Sequence, residues 1–314
     1  MRCLVTGGYG FIGSAFIQQL LNKPEVELIV NIDCVTYAAN IKNLPRSPKL
    51  RNFTLNIGNK DVVGNLLEKY QITHVVHFAA ETHVDNSISN SLIFVDTNIN
   101  GTHNLLQTCR EYNGLQRFHH ISTDEVYGSL KMGEPSFTEV SPYKPRSPYA
   151  ATKAASDHLV QSFYHTFNLP ITISNCSNNY GPRQNQEKLI PKVITNLLTG
   201  VKIPLYGEGI NVRDWLFVDD HCDAIWSILQ TPNIEGEVYN IGGNCELTNI
   251  ELIKNICKLL NKDFDTVVEF VQDRAGHDLR YSVDFTKINN QLNWSPRTSL
   301  LDGLKSTIEY YSSI

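Results

Sequence analysis

The N-terminal half of the chain alternates short, almost wholly apolar runs with stretches of mixed polarity. Arg2–Thr6, Glu27–Asp33, Phe53–Ile57, His74–Ala80 and Phe118–Ser122 read as strands, with helical patterns between most of them. A run such as His74–Ala80 is nearly continuous in apolar character, which is how a strand buried on both faces of a parallel sheet reads. The pattern predicts an α/β fold, a Rossmann-type doubly wound parallel sheet. Beyond about Pro170 Pro and Gly become frequent, and Lys202–Gly207 and Arg213–Val218 read as short strands between turns. This predicts a smaller mixed α/β C-terminal lobe that caps a substrate. The expected division is residues 1–174 plus about 212–243 for the first domain, and about 175–211 plus 244–314 for the second. Without a repeat, low-complexity tract or charged linker, the two lobes are expected to share an interface.

Composition narrows the class. With 314 residues, 41% apolar and 19% charged, the chain can bury a substantial core. Its 27 basic and 32 acidic residues give a net charge of -5. With no long run of Lys or Arg, neither nucleic acid nor a membrane surface is expected as a partner. An anionic ligand would have to be held by a few placed cations. No apolar stretch approaches the roughly 20 residues of a membrane span, and Met1–Val5 runs straight into a strand, so a soluble, cytoplasmic protein is expected. The seven cysteines lack C-x-x-C spacing and there is no H-E-x-x-H, so neither a disulfide framework nor a metal site is predicted.

Thr6-Gly7-Gly8-Tyr9-Gly10-Phe11-Ile12-Gly13 joins the first strand to a helix beginning near Phe11. Its glycines stand where the chain must turn, approach a ligand and pack on the sheet, and the helix N-terminus offers N–H groups to a pyrophosphate. A glycine cluster alone is weak evidence. Here it follows a strand, opens a helix and precedes a second strand ending in Asp33, as dinucleotide binding requires. An acid at that strand end would accept the ribose hydroxyls and repel a 2'-phosphate, which favours NAD over NADP.

Two further groups carry chemistry. Tyr149-Ala150-Ala151-Thr152-Lys153 places a phenol and an ammonium one helical turn apart on one face, and the ammonium favours the phenolate that can take a carbinol proton. The same spacing also occurs on solvated helix faces. Ser122-Thr123 ends a strand at the carboxyl edge of the sheet, where ligands of such folds bind, and directs both sets into one crevice. Asp124 and Glu125 follow. Sequence neighbours diverge on a regular element, so only an irregular strand end or a first helical turn lets both face a ligand; otherwise they are helix-capping charge. Two close carboxyl groups can hold different protonation states, one acid and one base. Loss of water beside a newly oxidised carbinol needs that division of labour.

At this point the residues resemble nucleotide-sugar enzymes of the extended short-chain dehydrogenase/reductase superfamily, most nearly the nucleoside-diphosphate-glucose 4,6-dehydratases. The glycine loop, His77–Asp85, Ser122–Gly128, Tyr149–Lys153, Ser177–Pro182, Glu187–Pro191, Asn211–Trp215 and Asp273–Asp278 carry the likeness over nearly the full length. It implies that Tyr149 takes the C4 hydroxyl proton as NAD accepts the C4 hydride, that Thr123 polarises the C4 oxygen, and that Lys153 supports Tyr149 and holds the cofactor ribose. It further implies that Glu125 removes the C5 proton, Asp124 protonates the departing C6 hydroxyl, and hydride returns to C6, so the cofactor stays bound. Around NAD it places Gly7, Gly10, Phe11, Ile12, Gly13, Asp33, Asn56, Ile57 and Ala79, with Tyr149 and Lys153. Around the nucleoside-diphosphate glucose it places His83, Asn178, Lys188, Asn211, Arg213, Arg274 and His277. A homodimer built from helices near 101–112 and 149–167 is also implied.

The chain departs from the family pattern at Asn56, where relatives often carry Asp, and in the loop Gly242–Asn249. The choice between dTDP-glucose and UDP-glucose is left open. A 4-epimerase or decarboxylase of the same superfamily shares the glycine loop and the Tyr/Lys pair, but carries small or hydroxyl residues where Asp124 and Glu125 stand. A non-catalytic NAD-binding regulator would keep the glycines and Asp33 while tolerating loss of Tyr149, Lys153 or the acids, all of which are present.

Overall fold

The computed structural model describes residues 1–273 and 277–313. Seven strands form one sheet: β1 (Arg2–Thr6), β2 (Leu28–Asp33), β3 (Leu50–Thr54), β4 (His74–His77), β5 (Arg117–Thr123), β6 (Ile171–Cys176) and β10 (Val238–Ile241). Their order is β10-β6-β5-β4-β1-β2-β3 and every neighbouring pair is parallel. The chain reverses its direction of travel between β1 and β4, so a crevice opens at their carboxyl ends, the ligand position of doubly wound sheets. One apolar layer covers each face, built around Leu4, Val30, Val75, Phe118 and Ile171 on one side and around Val5, Ile29, Val76, Phe16 and Ile225 on the other.

Two strands differ from the sequence expectation by more than one residue at an end, and both differences are physical. The third strand occupies Leu50–Thr54 rather than Phe53–Ile57. It is an edge strand with Arg51, Asn52 and Thr54 exposed, whereas Leu55 and Ile57 reach the core from the turn that follows. The fourth strand stops at His77 instead of running to Ala80. Ala79 N–H leaves the strand ladder and donates to Thr6 Oγ1 at 3.0 Å, which brings its backbone over the glycine loop.

The second lobe is built on β7 (Asn178–Tyr180), β9 (Val212–Phe217) and β11 (Glu246–Thr248), in the order β11-β9-β7, beside the pair β8 (Ile203–Tyr206) and β12 (Val268–Val271). Its core gathers Tyr180, Ile194, Trp215, Phe217, Ile253 and Leu304. Val212–Phe217 thus pairs within the small sheet, while the helix Val218–Gln230 and β10 return to the large one. No helix among the described residues is long and apolar enough to cross a membrane.

Candidate active site

The glycine loop leads into the helix Phe11–Leu21, whose N-cap is Gly10, with no side chain capping it. First-turn N–H groups lack partners within the helix and suit an anion. Gly7 has φ +70°, and a Cβ there would lie 2.8 Å from Ala79 N and 2.9 Å from its Cα. The early end of β4 therefore demands glycine at position 7. Gly7→Ala should destabilise the fold by about 1–3 kcal/mol through backbone strain alone and lower the NAD content of the purified protein; an unchanged Tm with full NAD would contradict this. Asp33 is buried, with Oδ2 accepting from Tyr9 N at 2.9 Å and Oδ1 from Val35 N at 2.8 Å. Each oxygen keeps acceptor capacity for a ribose hydroxyl. Asn56 is exposed and its Oδ1 closes a turn by accepting from Gly58 N at 2.8 Å, leaving its NH2 to offer, while Ile57 is buried behind it. An uncapped helix start, a glycine loop packed against the Ala79 backbone and a fixed strand-end acid fit NAD.

Asp124 and Glu125 do not sit on a regular element. Thr123 ends β5 and caps a single 3-10 turn, Asp124–Tyr127, its hydroxyl accepting from Glu125 N at 3.3 Å. That tight turn lets neighbouring acids share a site. Asp124 is 2% exposed, with Oδ1 3.3 Å from the Thr123 hydroxyl and Oδ2 without a partner among the described residues. Burial, then Glu125 and Asp214, push its pKa well above the usual carboxylate range against the opposing pull of Arg213 and Thr123. A buried oxygen with no donor is costly as a carboxylate and tolerable as a carboxylic acid. Glu125 is half-buried.

Tyr149 opens the helix Pro148–Phe167, which Ser147 caps by accepting from Ala150 N at 3.1 Å. Its ring meets Phe94 edge-on with centroids 6.4 Å apart. Burial, then Glu125, raise its pKa well above the ordinary phenol value, a hydrogen bond with Thr123 opposes them, and Asp124 adds to the rise. Both acids therefore converge on the phenol. Lys153 is buried, its Nζ donating to Ile121 O at 2.8 Å and lying 3.3 Å from His120 Nε2. Its ammonium is thus fixed against β5, and burial lowers its pKa.

The second lobe brings Arg213 and Asp214 near Asp124. Arg213, buried on β9, donates to Val212 O at 2.7 Å and Asp278 O at 3.0 Å and lies over the Tyr281 ring at 4.4 Å. Its field reaches Asp124, and that of Glu125 reaches Tyr281. Asn211 donates to Asp278 O at 3.0 Å, and Asn178 on β7 carries a buried Oδ1 with no partner among the described residues. Lys188 Nζ reaches Thr82 O at 3.3 Å, while His83 Nε2 lies 3.8 Å from Glu187, so the 81–83 loop is tied to the second lobe. His277 Nδ1 lies 2.7 Å from Asp273 at some remove in sequence from the acid pair. Arg274 lies outside the described residues.

Three side chains were not anticipated. Buried Asn98, on a π-helical turn over Val95–Gly101, accepts from Glu81 N at 2.9 Å and donates to Thr152 Oγ1 at 3.0 Å. It locks the 81–83 loop to the Tyr149 helix. Asp157 and Tyr281 are the others, and only Asp157 had a signal: a carboxylate one turn beyond Lys153 on the buried helix face.

Comparison with known proteins agrees with this geometry. A family described as GDP-mannose 4,6 dehydratase matches residues 4–307. The dTDP-glucose 4,6-dehydratase of Haemophilus influenzae is 47% identical over 332 aligned positions, covering 99% of this chain and 98% of that protein. That of Mycolicibacterium smegmatis is 46% identical, covering 99% and 93%. The crystal structure of DesIV, a dTDP-glucose 4,6-dehydratase from Streptomyces venezuelae with NAD and TYD bound, superposes with a TM-score of 0.95 at 45% identity, covering 100% of this chain and 97% of that one. A UDP-glucose 4-epimerase from Thermotoga maritima shares the fold at a TM-score of 0.92 but only 27% identity, so fold alone does not separate the two chemistries. Full-length identity does, and with the acid pair at the end of β5 it makes this chain a member of the dTDP-glucose 4,6-dehydratase family.

Proposed function

We propose that this chain dehydrates a nucleoside-diphosphate glucose, dTDP-glucose in particular, to the 4-keto-6-deoxy sugar with NAD as a retained cofactor. The observation that carries the reading is the convergence of Asp124, Glu125 and Tyr149, through Thr123, at the mouth of the sheet. An epimerase or decarboxylase has no use for two acids there, and a non-catalytic binder has none for a buried, proton-loaded Asp124.

NAD, held by the glycine loop, Asp33 and Lys153, supplies the hydride acceptor for C4 and the donor for C6. Tyr149 takes the C4 hydroxyl proton, and the positive charge of Lys153 is the chain's own means of offsetting the burial that holds the phenol protonated. Thr123 orients the C4 oxygen. Once C4 is a carbonyl the C5 hydrogen is acidic, and Glu125 removes it. Asp124, kept neutral by its surroundings, delivers its proton to the C6 oxygen, which leaves as water. Asn178, Lys188, Asn211, Arg213, Arg274 and His277 hold the nucleotide diphosphate, and the buried Arg213 guanidinium supports this. His83 stands beside the sugar. The reading takes the first lobe as the cofactor domain and the second as the substrate domain, in a homodimer.

The test is to mix purified protein with equal dTDP-glucose and UDP-glucose, without added NAD, and follow both by mass. A mass loss of one water, faster for dTDP-glucose, is expected. Isomerisation without mass change would replace the dehydratase reading with epimerisation, and faster loss from UDP-glucose would reverse the nucleotide preference.

A further inference from the structure

Asp157 lies one turn beyond Lys153 on the same helix and is 1% exposed. Its Oδ2 accepts from the Ser122 hydroxyl at 2.7 Å, the Tyr143 phenol at 3.0 Å and the Asn175 amide at 3.5 Å. Three neutral donors, from β5, β6 and the segment before the helix, aimed at one oxygen make a cradle for negative charge. Its Oδ1 lies 3.3 Å from His120 Nε2, and that same nitrogen lies 3.3 Å from Lys153 Nζ. Burial, then Lys153, keep the imidazole neutral. Nε2 can accordingly accept from the ammonium, while Oδ1 makes no hydrogen bond of its own among the described residues and acts on Lys153 as a charge.

A lysine in this dry position tends to shed its proton, because burial disfavours the charged form; Asp157 is the foremost influence working the other way. We infer that Asp157, acting across His120, is a positioning residue that keeps Lys153 as an ammonium, so that Tyr149 has a positive neighbour when the C4 hydroxyl proton is taken. The inference rests on the proposed function. Asp157 itself is held at about 6 by burial, opposed first by Lys153 and then by its three donors, so it is anionic at neutral pH. The other ionisable groups around the pair are His77 on β4, Cys176 on β6, Tyr127, Asp124 and Glu125 on the 3-10 turn, Tyr143 and Tyr149. Burial keeps His77 neutral and pushes Cys176 up to about 12, and Tyr127 and Tyr143 are raised too. None of these four gains or loses charge near neutrality.

Asp157→Asn preserves volume and removes the charge. An ammonium exists below its pKa and is lost as pH rises through it, so removing the anion moves that loss to lower pH. The alkaline limb of kcat/KM for C4 oxidation by the NAD-loaded enzyme should move toward neutrality by about one unit or more, and Asp157→Glu should restore much of it. A uniform drop at all pH values, with limbs superimposed on those of the unaltered enzyme, would reduce Asp157 to a packing role and overturn the inference. Should Asp157→Asn not fold, the unaltered enzyme decides: the 15Nζ resonance of Lys153 should step as pH passes about 6, and a flat trace there overturns the inference. If the unaltered enzyme makes no keto sugar, the functional reading fails instead, while the resonance still reports on the pair.

Discussion

Tyr149→Phe is expected to lower kcat/KM for C4 oxidation by about 10²–10⁴-fold, the usual worth of a placed acid or base. Only an oxygen is removed. The edge contact with Phe94 and the cap at Ser147 remain, so Tm and NAD content should stay close to those of the unaltered protein, and the loss will read as chemistry rather than unfolding. The phenol is buried between the acid pair and the end of β5, where no bulk water replaces it as a base. Rapid-quench mass spectrometry of dTDP-glucose measures the effect. Undiminished turnover with Phe at this position would remove Tyr149 from the mechanism and leave the proton to another group.

Glu125→Gln separates the two halves of the reaction. Oxidation at C4 should change by a few-fold at most. Water loss and deuterium incorporation at C5 from D2O should fall by about 10²–10⁴-fold, so that a 4-keto-glucose nucleotide, two mass units below the substrate, accumulates. The expectation follows from position: Glu125 is the half-buried member of the pair, beside Tyr149 and Tyr281, whereas Asp124 is sealed and neutral. Equal losses in both steps would show that the glutamate does not act as the C5 base. The amide also removes a charge that raises the phenol, so a small gain in C4 oxidation is compatible with the same assignment.

Much of this was legible in the chain itself. The large sheet announced itself through strands with no polar alternation, and the glycine loop through its place between a strand and a helix. The acid pair was legible as a pair, but not its geometry: nothing local marks Thr123 as the cap of a 3-10 turn, and that turn alone lets Asp124 and Glu125 face one space. The edge strand was misplaced because Phe53, Leu55 and Ile57 alternate like a strand, while Leu55 and Ile57 reach the core from a turn. The premature end of β4 was invisible because it is dictated from 71 positions away, by the Thr6 hydroxyl bonded to His77 at 2.7 Å and capturing Ala79 N–H. Tyr149 and Lys153 are both buried on the helix Pro148–Phe167, four residues apart. The ammonium itself is anchored on Ile121 and beside His120, contacts that come from β5 and leave no trace in a Y-x-x-x-K spacing.

The arrangement around Thr123 settles how the pocket can begin again. Under the proposed chemistry the hydrogen taken from C5 is put back there, but the one taken from the C4 oxygen stays with Tyr149, while the one on Asp124 departs in water. Each cycle thus ends with a surplus on the phenol and a vacancy on the acid. The Thr123 hydroxyl lies 3.3 Å from Asp124 Oδ1 and near enough to Tyr149 to bear on its phenol, so surplus and vacancy are a single hydroxyl apart. Re-arming is a local hop that need not borrow from the buffer between rounds.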